Sequence, residues 1–330
     1  MRYFKHLGWG GLLVLVLSGV WLLPVTPAPA QMAPLLIEKP AEAKPEAKKE
    51  EPPTTCGPMV SDTCLPIEAH KFSMQMLWAY SVYGGNFSPN WRRVTNGGDF
   101  STFYMPLKVT YGPAKNWETY VVVPYIQNFA NSVSPSPVPS GETSANYAGV
   151  GDISWFNKYL LLPETDCRPA VTGVFGVGFP SGHAHNLNPR FLGTDAVGSG
   201  AFTFTSGVNL YKWLKPFLVY SNIWFSAPIN LYHDRPDTVR SREYMTFNVA
   251  AEYPLAKKWV LLLEMYSTWT WTTISTPQGY QSPYTVVGVL PALEFLATSK
   301  LSLATGAAID LFGKGGPYKY TPMFTMYYTF

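Results

Sequence analysis

Apolar and polar residues alternate along most of the chain after residue 70. Between residues 201 and 211, large apolar side chains occupy one set of alternate positions, and small or polar side chains occupy the other. Residues 301–311 and 320–330 repeat this arrangement. A period of two with unlike faces is typical of a β-strand that lies between two different media. No apolar run after Phe72 approaches the roughly 20 residues that a membrane-crossing helix needs, so we predict strands rather than helices.

The same alternation predicts about twelve strands, separated by connectors of two lengths. The predicted strands lie near residues 71–82, 100–111, 117–129, 150–162, 168–179, 199–211, 214–226, 242–253, 258–271, 284–296, 300–312 and 319–330. Short connectors alternate with long ones, apart from the last connector, 313–318, which is short. Such sorting puts tight turns at one end of an antiparallel sheet and loops at the other. We therefore predict an all-β fold, a transmembrane antiparallel β-barrel over residues 71–330 with its tight turns in the periplasm.

Aromatic residues cluster near both ends of the predicted strands. The group at the short-turn ends comprises Trp117, Tyr211, Trp213, Tyr253, Trp259 and Phe295. The group at the loop ends comprises Phe129, Phe179, Phe202, Phe225, Trp269, Trp271, Tyr284 and Phe312. Two aromatic bands around an aliphatic middle are typical of membrane interfaces. The chain ends on Phe330, which we predict to be the C-terminal residue that the barrel-insertion machinery reads.

Composition agrees with a surface that faces lipid. Charged residues make up 14% of the chain, against about a quarter in soluble globular proteins, whereas apolar residues make up 47% and aromatic residues 15%. So much apolar surface excludes a disordered chain. A net charge of +3 provides almost no field for binding nucleic acid. The alternative is a secreted soluble β-sandwich, but its outward face would be rich in charge and its connectors would not sort by length.

The first 55 residues are predicted to serve export and spacing. Two basic residues precede an apolar run, and Ala-Pro-Ala at 28–30 supplies small residues for signal peptidase, so residues 1–30 are the expected signal peptide, cleaved after Ala30. An uncleaved anchor helix is the alternative, but the run is shorter than about 20 residues and ends at Pro24. Residues 31–55 are rich in Pro, Glu and Lys and predict a disordered periplasmic linker, either a passive spacer or a contact to the cell wall.

Residues 56–70 are predicted to form a periplasmic segment with a disulfide. Cys56 and Cys64 flank a loop that contains Gly and Pro. In an exported protein such a pair favours a disulfide over a metal site, because no further Cys or His completes a ligand set. Cys167 is left over, and we assign it no function.

Seven charged residues on the faces opposite the bulky apolar sets are candidates for lining the barrel lumen. They are Lys108, Asp152, Lys158, Glu252, Glu264, Glu294 and Asp310. The bases lie on early strands and most of the acids on later ones, an arrangement that would create a transverse field across the pore and orient water and polar solutes. Alternatively, these groups pair across the interior and stabilise a nearly closed lumen, since buried charges need partners. Asp152 has a third role open to it, because a carboxylate at a loop-to-strand junction can bind backbone N–H groups.

The sequence predicts no metal, no cofactor and no enzyme activity. His183 and His185, with Asp195 as a third ligand, are scattered over a predicted loop and give a weak metal signal, so a solvated polar loop is favoured. A hydrolase would need a nucleophile, a histidine and a carboxylate at one depth on neighbouring strands. The histidines of the mature chain, which also include His70 and His233, lie outside the predicted strands, and no Gly-x-Ser-x-Gly occurs.

Residues 147–225 resemble the family of outer-membrane proteins associated with meta-pathway phenol degradation. The resemblance rests on GVGDIS at 149–154 followed by Lys158 and Tyr159, on a strand that opens with Pro-Ala at 169–170 and ends with GFPSG at 178–182, and on LGT at 192–194 and GSGAF at 198–202. The rest of the barrel matches by pattern only, and the charged linker and the Cys56/Cys64 pair depart from the family. The resemblance implies an outer-membrane β-barrel that moves small solutes, hydrophobic or aromatic compounds among them.

These observations favour a channel of the bacterial outer membrane for passive uptake of small solutes, aromatic or hydrophobic ones among them. The alternative is a closed structural or surface-adhesion barrel without transport activity. Expected partners are the solute, the barrel-insertion machinery, outer-membrane lipid and lipopolysaccharide, whose phosphates would meet Arg235, Arg240 and Arg242. The cell wall is a candidate partner of the linker, and nucleic acid is not expected.

Overall fold

The computed structural model describes residues 55, 57–95, 97–134, 136, 139, 141–232, 238–276 and 279–330. The predicted signal peptide with its cleavage point, the linker up to residue 54, Cys56, His233 and Arg235 lie outside the described residues. Within these ranges, no helix has the length and apolar character needed to cross a membrane.

Strands account for most of the described chain. They are β1 (Phe72–Phe87), β2 (Arg93–Val94), β3 (Asp99–Ala114), β4 (Trp117–Asn131), β5 (Ala145–Val150), β6 (Ser154–Leu162), β7 (Ala170–Gly178), β8 (Ala201–Leu214), β9 (Phe217–Asn230), β10 (Tyr244–Ala256), β11 (Trp259–Thr270), β12 (Ile274–Thr276), β13 (Gly279–Gln281), β14 (Thr285–Leu296), β15 (Leu301–Lys314) and β16 (Pro317–Thr329). A short 3₁₀ helix, Pro189–Phe191, lies between β7 and β8.

Twelve strands form the wall of a closed antiparallel barrel, which confirms the predicted fold. Each wall strand pairs with its neighbours in chain order, and β16 pairs with β1, so the sheet closes on itself. β5 and β6 both pair with β4 and are two halves of one wall strand. β2 adds to β1 at the loop end, while β12 and β13 form a separate hairpin. Closure leaves no free edge at the seam between β1 and β16, as a sheet in lipid requires.

Burial along the strands is the reverse of that in a soluble protein. On β11, Leu261 and Leu263 are 49% and 56% exposed, whereas Leu262 between them and Glu264 after them are almost fully buried. Exposed leucines and buried acids indicate an outer surface that faces lipid and a polar interior. The predicted period of two is therefore also the period that separates the membrane face from the lumen.

The sorting of connectors by length follows the prediction, and most of the aromatic bands do too. Two-residue turns join β3 to β4, β8 to β9 and β10 to β11 at what we call the turn end, and 22 residues separate β7 from β8 at the loop end. Tyr211, Trp213 and Tyr284 depart from the predicted bands: Tyr211 is buried inside the barrel, Trp213 packs against the interior cluster, and Tyr284 lines an internal cavity. An alternating pattern contains two faces, and these three residues belong to the inner one.

The segment before β1 departs most from the predicted organisation. Instead of a separate periplasmic segment over 56–70, residues 57–68 enter the barrel lumen, where Met59 and Cys64 are buried in the interior cluster. We call residues 57–68 the plug. Its C-terminal end is held near the turn end, where the N–H of His70 donates to the carbonyl of Gly112 at 2.6 Å. The plug is uncharged except for Asp62 and Glu68. Such a segment can be buried in the lumen if its polar groups form hydrogen bonds or ion pairs with the wall.

Candidate functional site

Glu264 binds the tip of the plug. Its carboxylate accepts the backbone N–H groups of three consecutive residues, Met59, Val60 and Ser61, the last at 2.7 Å. Glu264 projects inward from β11 and is fully buried. Several N–H donors on one carboxylate stabilise its charge in place of water, so this predicted lumen residue serves to hold the plug.

Asp62 is the most heavily bonded group of the plug. Its carboxylate lies 3.2 Å from Nζ of Lys108 and 3.2 Å from Nζ of Lys158, and it accepts from Nδ2 of Asn209 at 2.9 Å. The backbone of Asp62 exchanges hydrogen bonds with the amide of Asn222. Burial disfavours the charge of Asp62, but the two ammonium groups outweigh burial and hold its pKa below the usual value.

Lys158 links the plug to the barrel wall. Its Nζ lies 2.8 Å from Oε1 of Glu118 on the neighbouring β4 and donates to the carbonyl of Thr63 at 3.0 Å. The side chain of Lys158 has no exposure to solvent. The other oxygen of Glu118 accepts from the N–H of Ile67 at 2.9 Å. A buried ammonium thus has two carboxylate partners, one from the wall and one from the plug.

The remaining predicted lumen acids on late strands also lie inside the barrel. Glu252 is fully buried and accepts from Tyr220 Oη at 3.3 Å and from the hydroxyl of Thr55. Asp310 accepts from Tyr266 Oη at 2.8 Å and from the N–H of Lys319 at 2.9 Å. Glu294 on β14 is also buried. The early bases pair with Asp62 and Glu118 rather than with these acids, so the predicted pairing of bases with acids across the lumen runs through the plug instead.

Asp152 has the third of the roles considered for it. It lies in the break between β5 and β6, and its two carboxylate oxygens accept from the N–H of Gly182 at 2.9 Å and from the N–H of Ser199 at 2.7 Å. Both donors belong to the long loop between β7 and β8. Within the described part of the chain, no strand pairs with the other edge of β5, and this loop covers that position, with the carbonyl of Val197 approaching Gly151.

Replacement of Asp152 by Ala is expected to lower the free energy of unfolding by about 1–3 kcal/mol, because two partly buried N–H groups would lose a charged acceptor. Urea unfolding in detergent micelles, followed by tryptophan fluorescence, measures this loss. Asp166→Ala, at an exposed acid near the turn end, is the matched control and should change stability by less than about 0.5 kcal/mol. Equal stability of the two variants would contradict the role assigned to Asp152.

Cys64 is a free thiol among the described residues, and Cys56, its predicted disulfide partner, lies outside them, so the disulfide stays a prediction. Its Sγ lies 3.3 Å from the hydroxyl of Thr172 and 3.3 Å from the carbonyl of Asn209, both on the barrel wall. Burial raises the pKa of the Cys64 thiol. The prediction assumed an exported segment outside the barrel, whereas the thiol fills a space inside it. Cys167 is also free and is exposed.

Three adjoining cavities run from the loop end to the plug. The outer one, about 670 Å³, includes Tyr83, Thr102 and Pro317 in its lining, and these residues also line a central cavity of about 720 Å³. The central cavity in turn shares Val60, Leu77 and Tyr104 with an inner cavity of about 430 Å³. Val60 belongs to the plug, so the plug tip forms the floor of this series. Cavities of this size accommodate molecules of one or a few rings.

A row of aromatic rings lines the inner cavity. Tyr120 stacks on Phe156 at 5.1 Å between ring centroids, and Phe156 lies 5.6 Å from Trp224. Glycines on the paired strands make room for two of them: a Cβ at Gly176 would lie 2.2 Å from the ring of Phe156, and one at Gly207 would lie 2.4 Å from that of Trp224. The sequence therefore positions these rings flat against the inner wall.

Four polar residues of this site were not among the predicted lumen residues: Asp62, Glu118, Asn209 and Asn222. Glu118 follows the outward-facing Trp117, so the alternation itself indicated its inward position. Asn209 and Asn222 occupy inner positions too, but the predicted set contained only charged residues, and these two side chains are neutral. Asp62 lies outside every strand, and its place follows only from the path of the plug.

The loop histidines do not gather a metal site. The rings of His183 and His185 are 6.3 Å apart, and Nδ1 of His183 lies 3.0 Å from the backbone carbonyl of Asp195 rather than from its carboxylate. Oδ2 of Asp195 instead accepts from the N–H of Asn188. Among the residues that the structure describes, no three His, Cys, Asp or Glu side chains are placed to hold a metal ion.

Solved structures resemble this fold. The COG4313 outer membrane channel from Pseudomonas putida F1 aligns with a TM-score of 0.65 at 12% identity, over 83% of this chain and all of that one. Looser likenesses are the CymD monoaromatic hydrocarbon channel (TM-score 0.43, 8% identity, 80% of this chain and 89% of that one) and the translocator domain of autotransporter NalP from Neisseria meningitidis (TM-score 0.45, 10% identity, 82% and 89%). At 12% identity, the first likeness shows a shared barrel fold.

No protein-family model matches the chain, and no curated protein matches it. The resemblance to the phenol meta-pathway family therefore stays a prediction. The shared fold is that of an outer-membrane barrel.

Proposed function

We propose that this protein is a channel of the bacterial outer membrane that admits small, largely apolar solutes, aromatic ones among them. The observation that carries the proposal is the series of three adjoining cavities from the loop end to the plug. The central cavity has a mostly apolar lining, with Leu77, Ile126, Val286 and Met323 beside tyrosines. Such a lining suits compact apolar molecules with few polar groups. The lipid-facing exterior and the fold shared with an outer membrane channel support the same proposal.

Uptake of a neutral aromatic solute tests this function. Gram-negative cells that carry the folded protein should accumulate radiolabelled benzyl alcohol faster than cells without it, because the lipopolysaccharide leaflet slows apolar solutes. Equal uptake by the two strains would contradict the proposal.

A bulky side chain in the central cavity is expected to slow this uptake by about fivefold or more, because passage depends on lumen width. Thr268→Trp places the bulk in the cavity, whereas Leu261→Trp, on the same strand, places it on the lipid face. Initial uptake rates at equal amounts of folded protein compare the two variants. A slower rate with Leu261→Trp alone would contradict a luminal route.

A closed structural barrel is the second candidate, and the plug favours it. Asp62, Glu118 and Glu264 tie the plug to the wall, so the turn-end part of the lumen is filled by protein. This candidate predicts no solute uptake in the benzyl alcohol experiment, whereas the channel predicts uptake.

The channel proposal includes the cellular context. Residues 1–30 would direct export with cleavage after Ala30, and residues 31–55 would remain in the periplasm as a spacer or a contact to the cell wall. The insertion machinery would read Phe330, whose N–H pairs with the carbonyl of Phe72 to close the barrel seam. Arg240 and Arg242 would meet lipopolysaccharide phosphates at the loop end. The proposal assigns the protein no enzyme activity and no cofactor.

A further inference from the structure

Three donors on three wall strands converge on one carboxylate. Lys108 on β3, Lys158 on β6 and Asn209 on β8 surround the Asp62 side chain at 2.9–3.2 Å. The donors sit on rigid strands, whereas the acceptor belongs to the plug, which has no strand of its own. The wall therefore carries a preformed carboxylate site whose occupant is supplied by a separate segment. We call Lys108, Lys158 and Asn209 the cradle.

The cradle opens onto the inner cavity. Lys108 and Asp62 both line that cavity, and the Lys108 side chain keeps 22% of its surface exposed, whereas Lys158 lies behind it without exposure. Nζ of Lys108 also lies 3.9 Å from the ring centroid of Tyr120, at one end of the row formed by Tyr120, Phe156 and Trp224. One cavity thus offers an ammonium group and a set of ring faces side by side.

We propose that the cradle and the inner cavity together bind a small aromatic carboxylate, which takes the position of the Asp62 side chain. Its carboxylate meets Lys108 and Asn209, and its ring lies against Tyr120, Phe156 and Trp224. The exchange replaces one carboxylate by another, so the lysines stay paired while Asp62 becomes free to hydrate. A neutral solute cannot make this exchange, because Lys108 would lose its carboxylate and the buried Lys158 would keep only Glu118.

The exchange has a consequence for the plug. Asp62 is its ionic anchor, so displacement of Asp62 loosens the segment that forms the floor of the cavities. Binding of the aromatic acid and opening of the turn end are thereby coupled. The inference rests on the proposed function only for the route by which the solute reaches the inner cavity.

Cys64 reports the movement of the plug. In a Cys56→Ser/Cys167→Ser background it is the sole cysteine of the chain, and its thiol is fully buried against Thr172 and Asn209. The purified full chain would be treated with a maleimide in the presence of benzoate, benzamide or acetate. We expect benzoate to raise the labelling rate about tenfold, as a shift in the population of the displaced plug requires. Benzamide lacks the charge and acetate lacks the ring, so neither should change the rate. An equal rate with benzoate and with benzamide, or with benzoate and with acetate, would overturn the proposal.

Asp62→Asn in the same background tests the exchange from the other side. Without the resident carboxylate, labelling of Cys64 should be fast before any addition and should no longer respond to benzoate. Asp166→Asn is the control and should behave like the parent. Slow labelling of the Asp62→Asn variant that benzoate still accelerates would overturn the proposal. This measurement needs no transport. Absence of a benzoate effect on Cys64 would contradict the binding proposal alone, and absence of benzyl alcohol uptake by cells would contradict the channel proposal alone.

Discussion

Replacement of plug residues 59–62 by Gly-Ser-Gly-Ser is expected to raise the single-channel conductance in planar bilayers by about tenfold or more. The replacement removes Met59 and Val60 from the floor of the cavities and the Asp62 carboxylate from the cradle. Lys108, Lys158 and Glu264 would then face water instead of the plug. The lumen of a twelve-stranded barrel is wide enough for ions once no segment occupies it, so the plug tip is expected to limit the current.

The fold of this variant must be checked first, by its heat-modifiable migration in gel electrophoresis. Lys257→Ser, on an exposed tight turn away from the lumen, is the matched control and should conduct like the wild type. Unchanged conductance of a correctly folded plug variant would mean that the residues around 59–62 do not close the lumen.

Lys158→Met is expected to lower the free energy of unfolding by about 3–5 kcal/mol, because it leaves the Glu118 carboxylate buried without a cation. Glu118 would lose its 2.8 Å partner, and Asp62 would keep Lys108 alone as an ionic partner. Urea unfolding of the protein in detergent, monitored by tryptophan fluorescence, gives this difference.

Two further variants separate the ion pair from general effects of losing a lysine. Lys300→Met, at an exposed turn, should change stability by less than about 0.5 kcal/mol. The double variant Lys158→Met/Glu118→Gln should lose less stability than Lys158→Met, since it removes the uncompensated charge of Glu118. A Lys158→Met protein as stable as the wild type would contradict the network drawn from the structure.

The strands, and which of their side chains face lipid or lumen, were predictable because both depend on the alternation of residues that are neighbours in the sequence. The pattern around Leu261, Leu263 and Glu264 already separates lipid from lumen, and the predicted strand ends lie within a few residues of the observed ones. The fourth wall strand, predicted to begin at residue 150, differs in its course as well as in its start. It begins at Ala145 and breaks at 151–153, where Asp152 turns to the loop instead of the lumen.

The partners of the inward charges were not predictable from the sequence. The alternating pattern predicts that Lys108, Lys158 and Glu264 face the lumen, but it does not predict which residues contact them there. That space is filled by residues 57–68, which have no strand period and are polar enough to suit a solvated segment. Cys64 illustrates the same limit, because the spacing to Cys56 suggested a disulfide outside the barrel, whereas the Cys64 thiol lies inside the lumen against Thr172 and Asn209.

The sequence by itself determined an all-β membrane barrel with tight turns at one end, loops at the other and charges directed inward, because each of these depends on residues close together in the chain. The tertiary structure alone decided that Asp62 reaches Lys108, Lys158 and Asn209, which lie 46, 96 and 147 residues away along the chain. Closure of the barrel brings these strands around one interior, and burial there makes each charge require a partner. The candidate site is therefore a property of the closed lumen and the segment within it.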